Sequence, residues 1–211
     1  MKTHTPPKFL NRFTTIPFLM DLLKHGQLTL INPKLWKDRN DWLTMDLYRR
    51  KKGKPSIYAL CFTHFDKTSQ HWSAFAGGTK GCCIEFDYEK LMDDIAKKRT
   101  VIRGKTEYIK IDELNGLEDD IEKLPFWKRW PYSPEKEFRI VALGDKPQEK
   151  FLHIPISLDS IKTITITGRL SESKFENTKK IITGIFKGKV FHSTLLDNPR
   201  WRKHFKEHFE D

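Results

Sequence analysis

Residues 130–143 read WPYSPEKEFRIVAL, a loop with two prolines that runs directly into an apolar strand. Because side chains alternate between the two faces of a strand, Glu135, Glu137 and Arg139 are predicted to share one face. The apolar side chains between them are predicted to point the other way, into a core. Carboxylates at the mouth of a buried strand are costly unless they are paired or used. The stretch therefore predicts a functional site, although residue chemistry alone does not name its reaction.

Length, aromatic content and charge limit the kinds of protein that this chain can be. The chain has 211 residues, and its 15 Phe and 6 Trp can bury enough area for a sizeable core. Its 39 Lys and Arg residues exceed its 28 Asp and Glu residues, which gives a net charge of +11. An excess of this size favours polyanionic partners, nucleic acid above all, although the same charge could serve solubility alone. We expect a single domain over residues 1–211.

Cysteine usage and hydropathy bear on location. Three cysteines, two of them adjacent, make a poor disulfide framework, and all three lie in apolar, strand-like runs. The first residues lack the apolar stretch of a signal peptide. No apolar run approaches the roughly 20 residues that span a bilayer. These features predict a cytoplasmic protein with reduced cysteines and no membrane partner.

The order of the sequence patterns predicts the fold class. Strands with period-two alternation and amphipathic helices are interspersed without a regular strand–helix–strand repeat. That order is typical of an α+β fold with a mixed, mostly antiparallel sheet and flanking helices. Residues 111–127 are predicted to form an acidic helix, and residues 198–211 a basic, aromatic C-terminal helix.

Two common kinds of catalytic site are disfavoured. His204, Glu207 and His208 have the His-x-x-Glu-His spacing of some zinc peptidases, but they lie at the C-terminus, where helices fray. We therefore predict no metal site. No Gly-x-Ser-x-Gly motif occurs, and Cys82 and Cys83 lie in an apolar strand where thiols are inert. A hydrolase with a serine or cysteine nucleophile is disfavoured as well.

The two glutamates of the opening stretch admit two interpretations. Glu135 and Glu137 could be a catalytic pair with Arg139 beyond them. They could equally belong to a surface ladder of salt bridges with Lys128, Arg129 and Arg139, because exposed strand faces commonly carry such charges. Spacing alone favours the ladder.

Three ordered segments resemble an uncharacterised bacterial family, the domain of unknown function 2971. They contain NRF at 11–13 and NP at 32–33, then LCFT at 60–63, HWSAFA at 71–76 and KGCCIEFD at 80–87, and finally WPY at 130–132 and EKEFR at 135–139. The family typically has a tyrosine where this chain has Phe75, and a proline where this chain has Trp42. The resemblance covers most of residues 9–143.

The same layout is similar to the ADP-ribosyltransferase superfamily. Its members carry Arg or His on the first strand, Ser or Thr on a middle strand, and Glu-x-Glu or Gln-x-Glu on a late strand. The resemblance implies a split sheet, NAD as co-substrate, Glu137 as the catalytic glutamate and Glu135 as the residue that orients the acceptor. It implies that Arg12 binds the NAD diphosphate. The full set implied to bind NAD is Arg12, Thr63, His71, Trp72 and Phe75.

The positive charge then bears on the acceptor. An ADP-ribosyltransferase with a basic face and exposed tryptophans is expected to modify RNA, DNA or a protein. The residues expected to contact nucleic acid are Arg49, Arg50, Lys128, Arg129 and Trp130. By analogy, such an enzyme suits a toxin or phage-defence role and could have an antitoxin protein as partner. Two alternatives stay open: a non-catalytic nucleic-acid-binding module, and a metal-independent nuclease that uses Glu135, Glu137 and His71.

Overall fold

A computed structural model describes residues 6–97 and 100–210. Within that part of the chain, eleven strands and six α-helices alternate irregularly. The strands are β1 (Phe9–Thr15), β2 (Gln27–Ile31), β3 (Ser56–Thr63), β4 (Gly81–Asp87), β5 (Ile102–Lys105), β6 (Glu107–Ile109), β7 (Trp127–Arg129), β8 (Glu137–Gly144), β9 (Phe151–Pro155), β10 (Ile161–Ile166) and β11 (Lys189–His192). The helices are α1 (Ile16–His25), α2 (Arg39–Lys51), α3 (Ser69–Phe75), α4 (Tyr88–Ala96), α5 (Glu172–Thr183) and α6 (Pro199–Phe209).

Nine of the strands form one sheet. Its main order is β11-β10-β4-β1-β3-β2-β9, while β8 lies beside β3 and β5 lies beside β8. β10 and β11 are parallel, and the other pairings in this sheet are antiparallel. β6 and β7 form a separate parallel pair. The predicted α+β class with a mixed, mostly antiparallel sheet is confirmed.

The sheet is weakly joined along β3. In the described chain, β1 meets β3 at one position, where Asn11 faces Thr63. β2 likewise meets β3 at one position, where Ile31 faces Ala59. By contrast, β1 and β4 pair over seven positions and β3 and β8 over eight. The sheet is therefore split, and a gap opens between β1 and β3 where the two strands separate.

The two faces of the sheet bury different kinds of side chain. On one face, which we call the core face, apolar residues of the strands pack against α1, α4 and α5 in one large cluster. Phe138, Ile140 and Ala142 belong to this cluster, as predicted. The opposite face, which we call the site face, carries two smaller clusters. One surrounds Tyr48 on α2, and the other surrounds Trp72 on α3.

The prediction of an acidic helix over residues 111–127 is wrong. The chain forms two short 3-10 helices there, Ile111–Gly116 and Ile121–Phe126. Pro125 lies inside the second one and cannot donate the backbone hydrogen bond that a continuing α-helix requires. The predicted C-terminal helix is confirmed as α6, and the last residue of that prediction lies outside the described residues.

The opening strand begins two residues later than predicted. Glu135 ends a 3-10 helix, Trp130–Glu135, and β8 starts at Glu137. Between them Lys136 adopts φ 46° and ψ 49°, a left-handed conformation that redirects the chain. Glu137 and Arg139 do share a face, because the Arg139 Nε donates to Glu137 Oε2 over 2.9 Å.

The three cysteines are free thiols of low reactivity. Cys82 and Cys83 are buried, and Cys61 is half-buried. Burial raises the pKa of the Cys83 thiol to about 12 and raises the pKa of Cys61 and Cys82 as well. Since the thiolate is the reactive form, none of them is a ready nucleophile at neutral pH. In the described ranges, no helix combines the length and the apolar character needed to cross a membrane.

Candidate active site

Charged side chains gather on the site face, between α2 and β8. The group, called the ion network below, consists of Asp41, Lys128, Glu135, Glu137 and Arg139. Arg139 lies at its centre and has no exposed surface. Its Nη1 lies 2.7 Å from Asp41 Oδ1, and its Nη2 lies 2.7 Å from Glu137 Oε2. Its Nη1 also donates to the carbonyl of Pro125 over 2.9 Å.

Lys128 joins the three carboxylates of the ion network. Its side chain, 7% exposed, extends from β7. The Nζ lies 2.5 Å from Glu135 Oε2 and 3.2 Å from Glu137 Oε1. It also lies 3.6 Å from Asp41 Oδ2. Two cations therefore face three carboxylates, and one carboxylate lacks a full positive charge to balance it.

That imbalance separates the two glutamates. Burial acts to raise the pKa of Glu137, but the charges of Arg139 and Lys128 outweigh it and lower this pKa to about 2. Burial raises the pKa of Glu135 to about 7, and the neighbouring Glu137 charge adds to the shift while Lys128 opposes it. At neutral pH Glu137 is thus a carboxylate, whereas Glu135 exchanges a proton readily. Two adjacent carboxyl groups with different protonation can take different chemical roles.

The surface ladder that spacing alone favoured is not what the structure contains. Glu137 is 6% exposed and Arg139 is completely buried. Arg129 lies outside the ion network and comes no nearer than 4.0 Å to its closest acid, Asp38. The missing partner is Asp41, which comes from α2, 98 residues before Arg139. Nothing in the local sequence pairs these two positions, so sequence reasoning missed Asp41.

A small cavity of about 40 Å³ opens beside the ion network. Its lining includes Arg12, Thr63, His71, Phe75, Glu135 and Glu137. These residues come from β1, β3, α3 and the approach to β8, which are remote from one another in the sequence. Seven residues were implied for NAD binding or catalysis, and six of them meet here. The exception is Trp72, which packs edge-on against Phe13 with ring centres 5.3 Å apart.

Arg12 lies at the split in the sheet, where it lines this cavity and also a second one of about 120 Å³ among core-face residues. Its neighbours Asn11 and Phe13 lie on the site face, so alternation starts the Arg12 side chain from the core face. The Nη1 donates to the carbonyl of Cys61 over 3.0 Å, in the gap between β1 and β3. Burial lowers the pKa of Arg12, and no ion pair to it exists among the residues that the structure describes. The nearby Glu137 charge acts to raise this pKa, but a buried cation without a salt-bridge partner is still suited to bind an anion.

Both ring nitrogens of His71 form hydrogen bonds within the protein. Its Nε2 lies 3.0 Å from the carbonyl oxygen of Glu135, and a carbonyl can only accept, so Nε2 carries the proton. Its Nδ1 lies 2.9 Å from the Thr68 hydroxyl, which donates to it. The imidazole also stacks on Phe13 at 5.4 Å. His71 therefore fixes the backbone of Glu135 and offers no free nitrogen as a base, which disfavours the nuclease alternative.

Thr63 anchors the other side of the same turn. Its hydroxyl donates to the carbonyl of Lys136 over 3.2 Å and accepts from the amide of Phe65 over 3.3 Å. In the sheet Thr63 lies directly opposite Glu137. Phe75, 42% exposed, stands at the mouth of the cavity. Thr63 thus shapes the turn, while Phe75 is free to contact a ligand.

Three of the five residues expected to contact nucleic acid are paired with carboxylates. Lys128 is enclosed in the ion network, so its assignment to a nucleic-acid surface is corrected. Arg49 and Arg50 both pair with Asp46, at 2.7 Å and 3.0 Å. Arg129 and Trp130 are exposed, Trp130 by 50%. In the described ranges, no group of three or more His, Cys, Asp or Glu side chains is placed to hold a metal ion.

Solved structures of one protein share a distant likeness with this chain. Thermus sp. 2.9 DarT in complex with NAD+ is 14% identical, with 90% of this chain and 98% of that chain covered and a TM-score of 0.45. The same protein in complex with ADP-ribosylated ssDNA is 14% identical, with 92% and 98% covered and a TM-score of 0.46. The same protein in complex with carba-NAD+ is 12% identical, with 90% of this chain and 97% of that chain covered and a TM-score of 0.43.

Sequence comparison adds no relative. A scan against models of protein families finds no match, and a comparison with curated proteins finds none either. The resemblance to the domain of unknown function 2971 therefore stays a prediction. The TM-scores, all below 0.5, mark the likeness to DarT as distant.

Proposed function

We propose that this chain is an NAD-dependent ADP-ribosyltransferase that modifies a macromolecular acceptor. The observation that carries the proposal is the meeting of Arg12, Thr63, Glu135 and Glu137 in one cavity. They come from a first strand, a middle strand and the start of a late strand, which is the layout that the superfamily resemblance implies. The net charge of +11 favours RNA or DNA as the acceptor over a protein.

Arg12 supplies the anion site for the dinucleotide. Its guanidinium is held at the split by the Cys61 carbonyl and has donors left for a second partner. The oxygens of a diphosphate accept hydrogen bonds from the planar guanidinium and supply a negative charge close to it. Phe75, at the mouth of the cavity, offers an apolar wall for the nicotinamide ring.

Glu137 stabilises the charge that develops on the ribose. In the reaction the bond between ribose C1′ and the nicotinamide nitrogen breaks, and nicotinamide leaves with the bonding electrons. The ribose then has oxocarbenium character, which a fixed carboxylate stabilises. Arg139 and Lys128 keep Glu137 ionised and hold its orientation.

Glu135 accepts the proton of the acceptor. A nucleophilic oxygen or nitrogen of the acceptor bonds to C1′, and its proton passes to the Glu135 carboxylate. The products are the ADP-ribosylated acceptor, nicotinamide and one proton. A carboxyl group whose pKa is raised to about 7 suits this role, because a base works best near the ambient pH.

NAD binding requires the cavity to widen. A volume of about 40 Å³ has room for one water molecule. Glu135, at the end of the 3-10 helix Trp130–Glu135, and the exposed ring of Phe75 line the cavity, and they are the parts that would have to move outward. An enzyme that marks nucleic acid in this way would suit a toxin or phage-defence role under the control of an antitoxin, a step that rests on analogy alone.

The test is transfer of ADP-ribose from labelled NAD to RNA, single-stranded DNA and cell protein, read by mass spectrometry. The wild type should add ADP-ribose to one of these acceptors. Glu137→Gln should lower the rate by about 10²–10³-fold, the usual cost of losing one charge-stabilising group. Arg12→Gln should raise KM for NAD. Glu176→Gln, an exposed carboxylate paired with Lys179, serves as the matched control and should leave the rate unchanged.

Thermal unfolding of each variant separates loss of chemistry from loss of fold. Shortened RNA in place of a mass increase would point to a nuclease. Binding of nucleic acid without any NAD-dependent product would point to a binding module. Transfer that continues undiminished in Glu137→Gln would remove Glu137 from the reaction.

A further inference from the structure

A wide groove lies on the site face, on the far side of α3 from the catalytic cavity. Its volume is about 1240 Å³, above the roughly 300–1,000 Å³ of pockets for small molecules. Thr165 of β10 and Phe191 of β11 line one side, and α6 lines the other. A hollow of this size and shape is suited to a length of polymer and not to a single metabolite.

The helix α6 leaves its apolar side open to this groove. No residue of α6 is buried. Trp201, Phe205 and Phe209 follow one another at spacings of four, so they share one side of the helix. They are 68%, 42% and 74% exposed. An amphipathic helix with its aromatic side uncovered has surface to offer a partner.

Two cationic side chains line the groove, Lys67 and Arg200, together with the imidazoles of His192 and His204. No carboxylate lines it among the described residues, and Glu172 lies 3.4 Å from His192. Lys67 already pairs with Glu85 at 2.9 Å, whereas Arg200 takes part in no ion pair within the described ranges. Aromatic rings beside cations are the combination that binds unpaired bases and their phosphates together.

We propose that this groove binds single-stranded nucleic acid. The bases stack on Phe191, Trp201 and Phe205, and Arg200 and Lys67 contact the phosphates. The proposal rests on the proposed function and deepens it, because it places the acceptor on a surface that residues 49, 50, 128, 129 and 130 do not form. Duplex ends cannot supply stacking along the groove, since paired bases already stack on one another.

The position of the groove relative to the cavity supports this assignment. Trp72 of α3 lines the groove, while His71 and Phe75 of the same helix line the cavity. The two hollows are thus neighbours across one short helix. A strand held in the groove lies beside the helix that carries the cavity mouth, where the acceptor has to arrive.

The experiment is fluorescence anisotropy with labelled ten-nucleotide oligo-dT and oligo-rU, on the full-length Glu137→Gln protein without NAD. Trp201→Ala should weaken binding by about 5–150-fold, the effect of losing one stacked base. Trp201→Tyr, which keeps an aromatic ring, should restore most of it. Phe18→Ala, which removes an exposed aromatic ring of α1 outside the groove, is the matched control and should stay within about twofold of the parent.

The salt dependence of binding tests the phosphate contacts. Arg200→Gln should make the slope of log K against log salt shallower by about 0.7, the value for one phosphate contact on a single strand. Because Trp201 and Arg200 are exposed, both variants should keep the parent's melting temperature.

Three results would overturn the groove assignment. They are equal binding by Trp201→Ala and its parent, equal affinity for a duplex of the same length, and binding of an acidic Glu-Leu peptide in place of the oligonucleotides. Because the assay contains no NAD, its outcome is independent of the transfer assay. Groove binding with failed transfer would refute the enzyme alone, and transfer without groove binding would refute the groove alone.

Discussion

Arg139 shows how single residues set the character of the site. A guanidinium with no exposed surface loses its hydration, which costs several kcal/mol. Asp41, Glu137 and the Pro125 carbonyl replace the lost water with close hydrogen bonds. Buried ion pairs of this kind often add little net stability. Their effect here is to fix Glu137 in one orientation and in the ionised state.

Removing Arg139 should be far more damaging than removing a surface arginine. Arg139→Met leaves Asp41 and Glu137 buried with Lys128 as their remaining cation, so we expect a loss of about 3–5 kcal/mol in the free energy of unfolding. Arg50→Met, which breaks an exposed pair with Asp46, should cost less than about 1 kcal/mol. Urea denaturation of both variants measures this. Similar losses for the two would mean that the ion network is not a desolvated unit.

Glu135 should make stability depend on pH. Its pKa is near 4.5 unfolded and about 7 when folded, so the folded state holds the proton more tightly. The resulting stabilisation is complete below about pH 4.5 and is lost as the pH rises through about 7. Between about pH 5 and pH 8 the wild type should lose on the order of 2 kcal/mol relative to Glu135→Gln.

Denaturation at a series of pH values checks the Glu135 prediction. Glu137 does not contribute in this window, since its pKa of about 2 leaves it ionised throughout. Glu176→Gln, on an exposed helix face, should retain the wild-type slope. Parallel curves for the wild type and Glu135→Gln would show that Glu135 titrates normally.

Some residues of the site could be predicted from the sequence and others could not. Glu137 and Arg139 were predictable because side chains alternate strictly along a strand and because both carry a charge whose burial costs free energy unless it is paired. The pairing of Lys128 with the two glutamates was anticipated as part of a surface ladder. The burial of Lys128 and the part played by Asp41 were not, since a lysine or an aspartate is by default expected at the surface. Their burial depends on tertiary contacts between α2, β7 and β8, which no local pattern encodes.

At the scale of elements, the short helix before β8 decides where Glu135 lies. A Glu-x-Glu pattern predicts two strand positions on one face, yet Lys136 turns the chain between the two glutamates. Left-handed backbone at a non-glycine residue is rare, so its position could not be anticipated. The turn is held by the Thr63 hydroxyl and the His64 amide, which both donate to the Lys136 carbonyl.

Glycine at position 136 should stabilise the protein. A left-handed conformation costs an L-residue about 1–2 kcal/mol, and glycine avoids this cost while losing more entropy on folding. We expect Lys136→Gly to gain about 0.5–1 kcal/mol by urea denaturation. Lys52 caps α2 with right-handed backbone, so Lys52→Gly should lose a similar amount. A loss at both positions would contradict the strain at Lys136.

At the scale of the whole molecule, the site face follows a simple order. α2, the ion network with its cavity, α3, and the groove under α6 succeed one another across the sheet. The charge of +11 could predict an anionic partner from the sequence alone. It could not predict the groove, because β10, β11, α3 and α6 are far apart in the sequence and only the fold brings them together.

The single contacts of β3 with β1 and with β2 have a mechanical consequence. Seven paired positions join β1 to β4 and eight join β3 to β8. Only one paired position joins β1, which carries Arg12, to β3 in the described chain. Separating the two parts there would break few backbone hydrogen bonds, so the apolar cluster of the core face, which includes Leu10 of β1 and Phe62 of β3, supplies most of the contact that holds them together.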